Sequence, residues 1–139
     1  MIVGVGVDLV ELDRIERLHR RYGDAFTARF CQPEEPRRRA NAALIEHLGG
    51  LFAAKEAVLK ALGTGWAQGL RLRDVEVVHD PHGAPTVRLH ARAAERAGDL
   101  AVGSIHLSIS HERKHAIAFA LLESGGAPSA PAAAPGVAP

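Results

Sequence analysis

Residues 49–65, Gly49-Gly50-Leu51-Phe52-Ala53-Ala54-Lys55-Glu56-Ala57-Val58-Leu59-Lys60-Ala61-Leu62-Gly63-Thr64-Gly65, decide how the rest of the chain is read. Leu44, Leu48, Leu51, Phe52, Leu59 and Leu62 recur at three- and four-residue spacings, the apolar stripe of an amphipathic helix turned toward a core. Glu56 and Lys60 lie four residues apart and share a different face of that helix. Gly63-Thr64-Gly65 then stops it, because glycine reaches the left-handed conformation that a helix C-terminus needs. A carboxylate, an ammonium and a loop of exposed backbone amides thus meet at one helix end, which suits a metal-bound phosphate. The same residues also describe an ordinary surface ion pair followed by an ordinary helix stop, so the rest of the chain must decide between the two readings.

Upstream, the pattern extends the helix back to about Asn41, past Pro33 and Pro36, which forbid a long helix until the second proline is behind. Gly49-Gly50 interrupts it at a cost of roughly 1 kcal/mol each relative to alanine. Close packing against another backbone or subunit is the expected reason. Residues 24–40 read as a loop followed by a short helix start. Before them Leu12, Ile15, Leu18 and Tyr22 make one stripe of an earlier helix that Gly23 ends, while Arg14, Arg17 and Arg21 fall on another face. The chain begins with Ile2 to Val7, β-branched residues alternating with glycines, which reads as a buried strand delivering Asp8 at its end. Gly4 and Gly6 leave room for another backbone or a ligand.

Downstream the period changes to two. Val75 to His79, a turn at Asp80-Pro81-His82-Gly83, and Pro85 to His90 form a β-hairpin. Ala91 to Ala97 is a short helix closed by Gly98. Ser104 to Ser110 alternates Ile105, Leu107 and Ile109 with Ser104, His106, Ser108 and Ser110. His111 to Lys114 turns the chain, and His115 to Leu122 returns with Ile117, Phe119 and Leu121 on one face and Ala116, Ala118 and Ala120 on the other. This second hairpin is expected to have one apolar and one small, polar face, with His111 at its tip. Residues 1–123 make one domain, and 124–139, composed only of Gly, Ala, Pro, Ser and one Val, read as a disordered tail without the apolar bulk to offset ordering entropy.

Composition supports a single globular domain: 139 residues, 47% of them hydrophobic, suffice for one core. No apolar run approaches the roughly 18 residues of a membrane span and no secretory signal pattern opens the chain, so a cytoplasmic protein without membrane contact is expected. A lone cysteine, Cys31, excludes an internal disulfide and a cysteine-based zinc cluster, and reads as a half-buried small hydrophobe. The net charge of +1 implies no bulk attraction to nucleic acid. Residues 14–39 are different, with eight arginines against four acids, an excess suited to an acidic partner or a phosphorylated ligand.

Three separated stretches therefore offer chemistry: Asp8 after a strand, Glu56 and Lys60 on a helix, and Ser108, Ser110 and His111 on a hairpin. Magnesium takes one or two protein carboxylates and completes its octahedron with phosphate oxygens and water, so two acids from separate elements, a lysine and a glycine loop match a Mg²⁺–pyrophosphate site. Gly4 to Ile15, Leu51 to Gly65 and His106 to Leu121 resemble, in order and spacing, the three signatures of the holo-acyl-carrier-protein synthases, the short 4′-phosphopantetheinyl transferases. The resemblance covers residues 1–123.

What the resemblance implies is specific. The fold would be α+β and phosphopantetheinyl transferase-like, a long helix packed on a mostly antiparallel sheet. The activity would be Mg²⁺-dependent transfer of the 4′-phosphopantetheine arm of coenzyme A to a serine of an apo acyl carrier protein in fatty acid biosynthesis. Asp8 and Glu56 would hold the metal. Lys60, Gly63, Thr64, Gly65, Ser108 and His111 would bind coenzyme A, with Glu56, Lys60 and His111 in the catalytic group. The proton acceptor for the serine stays open among Glu56, a metal-bound water and His111. Arg14, Arg17 and Arg21 would dock the acidic carrier protein. A homotrimer with sites between subunits is implied, for which the chain's own hints are Gly49-Gly50 and the small face of Ala116, Ala118 and Ala120. Leu51 departs from the pattern, because the family often has arginine there, and Arg37 to Arg39 are the candidate substitutes. A module that only docks carrier proteins and a magnesium-dependent nucleotide hydrolase are the other classes considered, the latter without the G-x-x-x-x-G-K-[ST] loop.

Overall fold

The computed structural model describes residues 1–36, 40–63 and 69–126. The order of elements is β1 (Ile2–Glu11), α1 (Leu12–Tyr22), α2 (Asp24–Phe30), α3 (Asn41–Leu62), a 3₁₀ turn (Leu72–Asp74), β2 (Val75–His79), β3 (Pro85–Leu89), α4 (Ala91–Asp99), β4 (Val102–His111) and β5 (His115–Ser124). Two antiparallel sheets result, a three-stranded one in the order β1-β5-β4 and the β2-β3 hairpin. The α+β expectation, the long helix from Asn41 to Leu62 and both hairpins are as the sequence predicts. Thr64, Gly65, Arg37 to Arg39 and most of the expected tail lie outside the described residues.

Several expectations are corrected. β1 runs on to Glu11, so Asp8 sits within the strand rather than at its end. The strand is buried on one face only: Val5, Val7 and Leu9 are exposed, as are Ile117 and Phe119 beside them. Residues 24–30 form a helix that was expected to be loop, started by Gly23 at a positive φ of 55° directly after it ends α1. α4 continues through Gly98 to Asp99.

The larger correction concerns faces. In the β4–β5 pairing Ile109 lies opposite Ala118 and Leu107 opposite Ala120, while Ser108 lies opposite Phe119 and Ser110 opposite Ile117. The aliphatic residues of β4 therefore share a face with the alanines of β5, and the serines share one with the large apolar residues. The parity of that pairing is set by the connection through Glu112 to Lys114, which alternation within each strand does not reveal.

The alanine face is the floor on which α3 lies. Ala116, Ala118 and Ala120 are buried. At Gly4 and Gly6 a Cβ would collide with the carbonyl oxygens of Ala61 and Ala57. Only small residues permit this backbone-to-backbone approach. Gly49 and Gly50, through which α3 passes unbroken, serve the same packing, since a Cβ there would press on Leu12 and Ile109. Both hints taken to favour subunit contact thus belong to the interior of one chain. From Leu48 to Leu62 the helix is covered on nearly every side rather than along one stripe, because β2 and the 3₁₀ turn close over it opposite the sheet.

Candidate active site

Asp8 faces α3, on the same side of β1 as Gly4, Gly6 and Val10. Lys60, in the last turn of α3, donates from Nζ to Asp8 Oδ1 at 2.9 Å and to the Val7 carbonyl oxygen at 3.1 Å. The Asp8 side chain is only 15% exposed and that of Lys60 52%, so the carboxylate lies at the base of the site and the ammonium over its mouth. Glu56 stands one helical turn before Lys60 and is partly buried. Its pKa is raised first by burial and then by the negative charge of Asp8, against the opposing pull of Lys60 and Arg14. The two carboxylates are thus within electrostatic reach of each other, and Arg14 at the start of α1 belongs to the same field.

The exit of α3 is built as the sequence predicts. Gly63 adopts φ 84°, and its N–H bonds to the Lys60 carbonyl oxygen at 3.0 Å. Arg96 of α4 donates from Nε to the Leu62 carbonyl oxygen at 3.0 Å, placing a cation at the negative end of the helix dipole.

The hairpin residues are not brought to this cluster. Ser108 and Ser110 are exposed on the far face of the sheet, in line with Phe119 and Ile117. His111 Nδ1 lies 3.9 Å from Glu46 Oε2. Glu46 precedes Glu56 by ten residues, about 15 Å along a helix rising 1.5 Å per residue. Arg14, Arg17 and Arg21 are all exposed on α1, and the Arg21 guanidinium stacks over Tyr22. Beside them Leu18, Tyr22, Phe26 and Phe52 line an open apolar groove rimmed by Arg29 and Arg71. Leu51 is in the core at 2% exposure, so it brings no charge to any surface.

Asp8 and Glu56 offer hard oxygen donors on two elements, and their mutual repulsion is relieved by a cation. No group of three or more His, Cys, Asp or Glu gathers among the described residues. Two carboxylates with the remaining positions open suit Mg²⁺, which keeps waters and phosphate oxygens in its shell, better than a metal that needs an all-protein cage.

One residue of the opening stretch escaped sequence reasoning. Lys55 is completely buried and paired with Glu35 at 2.8 Å. Nothing in its spacing distinguishes it from a surface lysine.

A helix packed between a three-stranded antiparallel sheet and a hairpin, with carboxylates from β1 and α3 closed by a lysine, is the frame of one group of proteins. The family model of the 4′-phosphopantetheinyl transferase superfamily matches residues 4–120, and the chain belongs to that family. Its relatives narrow the group. The holo-[acyl-carrier-protein] synthase of Halorhodospira halophila is 48% identical over 126 residues, covering 90% of this chain and 100% of that protein. That of Alkalilimnicola ehrlichii is also 48% identical, covering 89% and 98%. Among solved structures, the holo-[acyl-carrier-protein] synthase of Neisseria meningitidis matches with a TM-score of 0.79 at 34% identity, over 89% of this chain and 100% of that one. The Helicobacter pylori synthase in complex with coenzyme A matches at 0.72 and 31% identity, over 86% and 99%. No helix among the described residues is long and apolar enough to cross a membrane.

Proposed function

We propose that the chain transfers the 4′-phosphopantetheine arm of coenzyme A to a serine of an apo acyl carrier protein, releasing adenosine 3′,5′-bisphosphate, at a Mg²⁺ site held by Asp8 and Glu56. The observation that carries this reading is the convergence of Asp8, Glu56 and Lys60, in a chain that aligns along its length with holo-[acyl-carrier-protein] synthases. When bound, Mg²⁺ would neutralise charge on the coenzyme A pyrophosphate and on the leaving bisphosphate. Lys60 adds a positive charge at the same mouth, which would stabilise charge developing on the phosphoryl oxygens. Gly63, Thr64 and Gly65 are the residues this reading assigns to the remaining phosphate oxygens of coenzyme A. Of the protein groups open as proton acceptor, this reading favours Glu56, since His111 of the same chain lies beside Glu46, ten residues earlier on α3.

Ser108 and His111 join the site in this reading from a second copy of the chain. In this reading the chain is a homotrimer; the exposed apolar face of Val5, Val7, Leu9, Ile117 and Phe119 supports association between copies, since such a patch is ordinarily covered in solution. The exposed arginines Arg14, Arg17 and Arg21 and the adjoining apolar groove receive the acidic carrier protein, charges steering and groove anchoring. Fatty acid biosynthesis in the cytoplasm is the setting this activity fits.

Intact mass spectrometry of an apo acyl carrier protein incubated with the protein, coenzyme A and Mg²⁺ tests the proposal, with Glu56→Gln as control. The carrier gains the mass of one phosphopantetheine arm with the native protein and none with the variant. Absence of that gain with several carrier proteins overturns it.

A further inference from the structure

Lys55 has no exposed surface, yet its ammonium is fully occupied. It donates to Glu35 Oε1 at 2.8 Å, to the Val75 carbonyl oxygen and, at 3.5 Å, to the Leu72 carbonyl oxygen. Glu35 is equally occupied: Oε1 also accepts from the Gln32 N–H at 2.7 Å, and Oε2 from the Val77 N–H at 2.9 Å. A second bond joins the same segments, between His47 Nε2 of α3 and the Glu35 carbonyl oxygen at 2.9 Å. One buried pair thus binds α3, the chain around Glu35, the 3₁₀ turn and β2 at a single point.

A buried ion pair is weak evidence for stability, because desolvation offsets the attraction. What it does supply is registry: apolar surfaces slide over one another, whereas this pair satisfies its partners at one depth and one rotation only. Lys55 and Glu56 are consecutive, so their directions differ by about 100° around the helix. Lys55 holds the β2 side of α3 while Glu56 belongs to the side facing Asp8. On that other side the helix backbone already rests against Gly4 and Gly6.

We propose that the Lys55–Glu35 pair is a positioning device that clamps α3 against β1 at the depth where Glu56 and Asp8 together accept a divalent cation. The proposal rests on the metal pair put forward above. Lys55 touches neither metal nor substrate, and its effect passes through the placement of Glu56. A misplacement of about 1 Å in such a constellation is worth up to ~10²-fold in rate.

The test is Mn²⁺ binding to the metal-free protein, followed by loss of the free-ion electron paramagnetic resonance signal, for native protein and for the Glu35→Leu/Lys55→Met double variant. Replacing both charges leaves no uncompensated ion, so the double variant is expected to fold, with a melting temperature lowered because the Gln32 and Val77 N–H groups and the Val75 carbonyl lose their partners. Its Mn²⁺ dissociation constant is expected to rise about tenfold, with kcat falling by a similar factor and KM for coenzyme A within about twofold. A folded double variant with native Mn²⁺ affinity overturns the proposal, as does a loss of activity that only follows the folded fraction. If the double variant does not fold, Glu35→Gln carries the same reading, weakened Mn²⁺ binding supporting the clamp and unchanged binding refuting it. Failure of the native protein to bind Mn²⁺ is a different result: it rejects the Asp8–Glu56 metal pair and the clamp with it.

Discussion

The Lys60 ammonium is closed onto the Asp8 carboxylate at 2.9 Å, so the cation proposed to bind between Asp8 and Glu56 would compete with Lys60 for the same oxygen. Lys60→Ala is therefore expected to tighten Mn²⁺ binding severalfold while lowering kcat by roughly 10²-fold, because a competitor for the metal and a stabiliser of developing charge are removed together. Calorimetric titration beside steady-state kinetics checks both halves. Parallel weakening of metal binding and turnover would show that Lys60 helps to build the metal site.

Glu56 is held in a setting that favours its protonated form, by burial first and by Asp8 second. Stability contributed by such a group is whole below its unfolded pKa and is lost as pH rises through the raised folded value. In metal-free protein Glu56→Gln is expected to melt higher than the native chain at pH 7, with the advantage gone near pH 4. Calorimetry at the two pH values measures it, and saturating Mg²⁺ should shrink the difference at pH 7.

The sheet and helix meet through glycine where no side chain fits. Gly6→Ala drives a Cβ into the Ala57 carbonyl oxygen and is expected to cost at least ~3 kcal/mol in urea denaturation. Gly98→Ala meets nothing within 4 Å, lies inside α4, and is expected to gain up to about 1 kcal/mol from helix propensity. Equal effects at the two positions would contradict the packing described.

Burial raises the Cys31 thiol from an ordinary value of 9.0 to about 12, ahead of the opposing attraction of Lys55. At pH 8 the native protein should react with a disulfide reagent only as fast as it opens, and the unfolded chain at once. The neutral thiol's contribution to stability is complete below pH 9 and lost toward pH 12, so Cys31→Ala should lose less stability than the native chain between those limits.

Arg14 differs from its neighbours on α1 because its charge reaches Glu56. Arg17→Glu and Arg21→Glu are expected to raise KM for the carrier protein about tenfold or more with KM for coenzyme A nearly unchanged. Arg14→Glu should in addition alter the Mg²⁺ dependence. Mixing Asp8→Asn with His111→Ala chains, refolded together, tests whether sites are shared between copies: each variant inactive alone and partial activity in the mixture is the expected result.

The long helix, the two hairpins and the arginine face were legible because period and punctuation are local properties. The helix at Asp24–Phe30 was not, since seven residues between Gly23 and the proline segment hold barely two turns of pattern. The shared faces of β4 and β5 are not legible, because each strand states its own alternation but not which parity the turn joins. The burial of Lys55 is not legible either, because a lysine is ordinarily a surface residue and its partner Glu35 lies twenty positions away. Asp8, Glu56 and Lys60 were legible as residue types but became a site only once β1 lay against α3.

Between Asp8 and Glu56 there is consequently almost no side-chain matter to vary. Gly4 and Gly6 let β1 approach the carbonyls of Ala61 and Ala57 with no side chain between, so the approach of the strand carrying Asp8 to the helix carrying Glu56 is set largely by main chain. Exchange of one aliphatic residue for another elsewhere in the core can alter the melting temperature without retuning that approach. The surrounding aliphatic sequence is free to drift as long as Gly4 and Gly6 and the buried Lys55–Glu35 pair are kept.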